Sequence, residues 1–74
     1  MGTLRVLGSR GDSQVRWDEA NEASVSKARK AFERYLAFRF LAFSTPPSGG
    51  DATLIRNFDP EADEIILTRP LIGG

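Results

Sequence analysis

A chain can only do the chemistry its side chains allow, and these 74 residues include no cysteine and no histidine. Thiol nucleophiles, disulfides, thiolate zinc sites and imidazole acid–base work are therefore excluded. Carboxylates, two lysines and a glycine-ended segment, Leu71-Ile72-Gly73-Gly74, remain. Asp59, Glu61, Asp63 and Glu64 crowd one short stretch. A calcium loop would need longer ligand spacing and a central glycine, so a solvated acidic turn is expected, suited to steering a basic partner surface. Lys27 and Lys30 are the only lysines and the only amine acceptors an acyl group would find on side chains. On an exposed helix face they read first as solubility charges. A stand-alone enzyme would rest on a carboxylate pair, and nothing in the spacing marks one, so no catalytic activity of its own and no cofactor are expected.

Ten basic and ten acidic residues cancel. Without a basic excess there is no electrostatic grip on nucleic acid or on anionic lipid, and neither is expected as a partner. No stretch approaches the ~20 apolar residues of a membrane span, and no charged-then-apolar leader is read, so the expected location is cytoplasmic. The composition, 41% apolar and 27% charged, is that of a globular chain. At this length one core is feasible and a deep catalytic cleft is not.

The elements that must carry these residues can be read from periodicity. Leu4 and Val6 alternate with Thr3 and Arg5, and Gln14-Val15-Arg16-Trp17 returns the chain, predicting a hairpin over residues 3–17. Arg10-Gly11-Asp12 spells an adhesion-type tripeptide but sits where turn chemistry belongs. Asp18 and Asn21 are both candidate helix N-caps. Val25, Ala28, Phe32 and Leu36 then recur at steps of three and four, a single apolar stripe that predicts a helix to about residue 37. Phe38, Phe40 and Phe43 favour a strand over about 39–44, with these aromatics and Phe32 assigned to the core. Trp17 is expected to anchor the end of the second strand.

Residues 45–51 read as a Pro/Gly loop, 53–58 as a strand, 59–63 as a turn and 64–68 as the last strand. The unbroken run Ile65-Ile66-Leu67 suits a strand covered on both faces, hence a central one. The expected architecture is therefore α+β, in the order ββαβββ, a mixed sheet with one helix packed across it. Should the last strand lie beside the first and parallel to it, the sheet is a β-grasp; another small α+β strand order is the competing arrangement. The domain is placed at residues 1–69 and a flexible tail at 70–74, because Pro70 fixes its own φ and pushes Arg69 toward extended backbone.

With Ala62-Asp63-Glu64-Ile65-Ile66-Leu67 as acidic turn and last strand, and Pro70 to Gly74 as a tail closing in Gly-Gly, the chain resembles the ubiquitin-like and sulfur-carrier β-grasp families. It resembles the small subunit of molybdopterin synthase and its thiamin-pathway counterpart, and small bacterial ubiquitin-like proteins. The element order agrees along nearly the whole chain, and the motif covers about a dozen residues. A chance Gly-Gly ending is rare, on the order of one chain in two hundred.

The resemblance implies a Gly74 carboxylate that a partner adenylating enzyme activates with ATP, Gly73 and Gly74 being slim enough to thread a narrow channel. Arg69, Pro70, Leu71 and Ile72 would then be the tail that such an enzyme reads. It also implies a deconjugating protease as a further partner, and Lys27 and Lys30 as internal acceptors. Ile72 is bulkier than sulfur carriers favour before the glycines, while ubiquitin has a basic residue there and this chain has its own at Arg69. Sulfur transfer and protein conjugation thus both stay open. The alternative from a different class is a non-covalent interaction module, docking through an edge strand or an aromatic patch and indifferent to the last two residues.

Overall fold

The computed structural model describes residues 1–8, 11–45 and 50–69. Its elements are β1 (Gly2–Gly8), β2 (Gly11–Trp17), α1 (Glu22–Ala37), β3 (Leu41–Thr45), β4 (Thr53–Ile55) and β5 (Glu64–Thr68). They form one five-stranded mixed sheet in the order β2-β1-β5-β3-β4. β5 lies beside β1 and parallel to it, from Thr3↔Glu64 to Leu7↔Thr68, and is antiparallel to β3 on its other side. The central place expected for the last strand is met. Its apolar run lies between two neighbours, with Ile65 and Leu67 fully buried.

The pleat sorts each strand into two faces. Leu4, Val6, Ala42, Ile65 and Leu67 join Ala28 and Phe32 of α1 in one buried cluster, so the helix covers that face. Val25 and Leu36 pack against the same cluster, completing the predicted stripe. Trp17 belongs to the core rather than merely to a strand end. Its ring meets Phe58 edge-on at 4.9 Å, Phe58 meets Phe32 at 5.8 Å, and its indole Nε1 donates to the Pro60 carbonyl at 3.0 Å. A Cβ at Gly2 would overlap Trp17 Cζ2 and Cε2, so glycine is the residue that lets β1 pass over the indole.

Of the two candidate caps, Asn21 is the N-cap: its side-chain oxygen accepts from Ser24 N at 3.2 Å. Asp18 instead closes the preceding turn, its carboxylate accepting from Ala20 N. At the other end Arg39 N donates to Leu36 O at 2.9 Å and Phe40 N to Tyr35 O at 3.0 Å, while Arg39 has φ 68°. This is a Schellman ending with arginine in the position glycine usually takes, sealed by the Tyr35–Phe40 ring contact at 5.0 Å.

That ending corrects the strand expected at 39–44. Phe38 to Phe40 are spent reversing the chain, and β3 begins only at Leu41 and runs through Thr45, which had been read as loop. Phe38 is 63% exposed at the cap and is not a core residue; Phe40 and Phe43 are half-buried. The strand expected at 53–58 stops at Ile55, because Phe58 turns inward to its two aromatic partners. The hairpin is present with Gly8 paired to Gly11, and Ser9 and Arg10 lie outside the described residues, as do 46–49.

Candidate functional site

The segment singled out by its chemistry leaves the sheet at the end of β5. That strand is clamped on both sides up to its last residue: Thr68 is paired with Leu7 of β1 and with Leu41 of β3. Arg69 follows at once and is exposed. Pro70, Leu71, Ile72, Gly73 and Gly74 lie outside the described residues. Whatever follows Arg69 therefore starts from a fixed point in the middle of the sheet, two strands in from the β2 edge.

The sheet face opposite α1 surrounds this exit with apolar side chains. The register puts Arg5, Ile66, Phe43 and Leu54 in one cross-strand row, and Leu7, Thr68 and Leu41 in the next. Leu7 and Leu41 are 38% and 39% exposed and Leu54 is 53% exposed, whereas Ile66 and Phe43 are half-buried between them. At the far end of the same face Glu64 sits 3.7 Å from the Arg5 guanidinium. Partly exposed pairs of this kind contribute at most about 1 kcal/mol, so this one orients β1 against β5 more than it stabilises them.

The acidic turn is held by its own backbone. Asp59 accepts from Glu61 N through its side chain and from Ala62 N through its carbonyl, and Asp63 bonds both neighbouring strands through Thr3 N and Thr45 O. Asp59, Glu61 and Asp63 are exposed. Among the described residues no group of three or more acidic, His or Cys side chains could hold a metal ion.

Lys27 and Lys30 are exposed on α1, on the opposite side of the sheet from the apolar face around Thr68. The structure therefore does not bring them to the exit of β5. The apolar row was missed because Leu7, Leu41 and Leu54 were read only as strand-formers. Its signal was present, since Leu7 follows Val6 and Leu41 precedes Ala42, out of phase with the buried positions. No helix among the described residues is long and apolar enough to cross a membrane. No family model matches the chain, and neither a curated protein nor a solved structure matches it.

Proposed function

We propose that the chain is a β-grasp carrier or modifier of the ubiquitin-like kind, whose Gly74 carboxylate is activated by a partner adenylating enzyme. The observation that carries this reading is the strand order. The last strand is central, parallel to the first, and ends at Thr68 on an open apolar face, immediately before Arg69 and the Gly-Gly-ended stretch of the sequence.

A free carboxylate is a poor acyl donor. Attack of its oxygen on the α-phosphorus of ATP gives an acyl adenylate and pyrophosphate, and makes AMP the leaving group. A sulfur nucleophile of the partner then takes the acyl group and expels AMP. Where that nucleophile is a partner persulfide, a second thiol cleaves the S–S bond of the resulting acyl disulfide, becoming a disulfide itself and releasing the thiocarboxylate of a sulfur carrier. Where it is a cysteine thiolate, attack by an amine on the thioester expels the thiolate and makes the chain a modifier. In either branch the chain supplies no catalytic group. It offers an acyl terminus, Arg69 to Ile72 as the recognised tail, and the Leu7-Leu41-Ile66 face on which the activating enzyme seats itself. A deconjugating protease would read the same tail, and Lys27 and Lys30 are the internal amines open to conjugation. The compartment proposed with this chemistry is the cytoplasm, where ATP is available.

The test is intact-mass spectrometry of the protein from its native host beside a Gly74-deleted control. A gain of one oxygen-to-sulfur exchange identifies a carrier. A ladder of larger adducts that vanishes in the control identifies a modifier. Unmodified protein in both samples removes the reading.

A further inference from the structure

Beyond the proposed tail chemistry, the β4 side of the molecule carries a second feature. Where α1 ends and β3 begins, an open groove of about 460 Å³ runs along the β3–β4 hairpin. Leu36, Phe40, Leu41 and Leu54 line it, together with two arginines, Arg39 and Arg56. Both arginines are exposed. Among the described residues neither is in an ion pair, the one present joining Arg5 to Glu64. The register sets them at the same end of the groove. Ile55 faces Ala42 across the hairpin, Arg56 is the next residue after Ile55, and Arg39 comes just ahead of β3.

Arg39 stands there at a cost. Its φ of 68° is the left-handed conformation that closes the helix, where glycine is the usual occupant. A strained position that keeps a long cation in place of glycine points to work for the side chain. The charges of the whole chain cancel, yet they are segregated in space. Glu19, Glu22 and Glu61 gather around the depression at the start of α1, whereas no acid among the described residues lines the groove at its end. Arg69, directly after the Thr68 that pairs with Leu41, adds a third cation at this end. A phosphate backbone would need a longer and less apolar basic track. The concave shape instead suits inserted side chains.

We propose that the groove between β4 and the end of α1 binds a protein partner through a short acidic segment with an apolar anchor. The anchor, a leucine or phenylalanine, sits against Leu36, Phe40 and Leu54. Flanking carboxylates meet the planar guanidinium forks of Arg39 and Arg56. β4 pairs over only three residues, so the segment is held by its side chains and does not extend the sheet. Removing the anchor from water gives affinity, and the two arginines give selectivity.

The experiment titrates the isotope-labelled full chain with a synthetic peptide blocked at both ends, Glu-Glu-Leu-Phe-Glu-Glu. One control has lysines for the glutamates, and a second has serines for the leucine and phenylalanine. Amide shifts confined to residues 36–42 and 54–56, and lost with both controls, support the proposal. Arg39→Gly relieves the backbone while removing the guanidinium, and is expected to weaken binding about tenfold in a chain that stays folded. Arg56→Gln, at an exposed position, acts in the same direction, whereas Arg16→Gln on β2 leaves binding unchanged. Deleting Gly73 and Gly74 also leaves it unchanged, which separates this site from the tail. Four results overturn the proposal: no shifts at peptide concentrations on the order of 1 mM, shifts centred on β2 or around Leu7 and Ile66, equal binding of either control peptide, or binding that survives the loss of both Arg39 and Arg56.

Discussion

At one edge of the sheet β2 runs seven residues in unbroken register and ends in Trp17, buried under the helix. At the other, β4 pairs only three residues with β3 and carries Leu54 more than half exposed. A short edge offers little template for another strand, so β4 is protected by its brevity. β2 has no such protection. It is instead anchored from inside, through Trp17, Phe58 and the Pro60 carbonyl, and among the described residues no strand pairs with its outer rim. The anchoring and the availability of β2 are thus one design, and the β4 side shows what an edge looks like without either.

The strongest way to break the comparison is Trp17→Ala. It removes the ring that Gly2, Phe58 and Pro60 are fitted around, and truncations of this kind cost about 3–5 kcal/mol. That is a large fraction of the ~4–11 kcal/mol a domain of this size holds. Urea denaturation at 25 °C should show a strongly lowered midpoint; a native-like midpoint would mean that β2 is not anchored by its tryptophan. Gly2→Ala approaches the same contact from β1. The added methyl has no room against the indole, so a loss of about 1–3 kcal/mol is expected from the same measurement. A neutral result would show that the first strand residue can lift away from Trp17.

The two ends of α1 extend the contrast. Asn21 caps the end fed by β2, and Ser24 Oγ closes the same turn by accepting from Asp18 N at 2.9 Å. Asn21→Ala should therefore cost about 1 kcal/mol, read as a lower thermal midpoint. On the β4 side, Leu54→Thr puts a β-branched, strand-favouring side chain on the strand and removes apolar area that is already half in water. Less than about 1 kcal/mol is expected. A larger loss would show that Leu54 is covered in solution.

How much of this was legible in the sequence follows the same division. Spacing alone gave the hairpin, the Val25-Ala28-Phe32-Leu36 stripe and the central last strand, although α1 covers that strand on one face and Ile66, on the other, is half-buried rather than enclosed as its unbroken apolar run suggested. Phe58 was misplaced in a strand because its aromatic propensity is local while its packing on Trp17 and Phe32 is not. The Gly2–Trp17 contact joins residues fifteen apart, and no single position advertises it. As for the candidate site, the sequence marks Arg69 to Gly74 by chemistry, but only the register shows that Leu7 and Leu41 flank their point of departure.

The smallest expected effect concerns the one residue that broke a local rule. Arg39 has φ 68°, a conformation that costs a residue with a Cβ about 1–2 kcal/mol. The Schellman bonds from Arg39 N and Phe40 N, with the Tyr35–Phe40 contact, hold it there. Arg39→Gly removes the strain but loosens the unfolded chain, an offset of about 0.5–1 kcal/mol. A net stabilisation of about 0.5 kcal/mol remains, measurable as a rise in the urea midpoint with unchanged slope. Destabilisation would instead mean that the arginine side chain contributes more than its backbone costs. The depression it shares with Leu54 and Arg56 would then be where to look for the compensating contact.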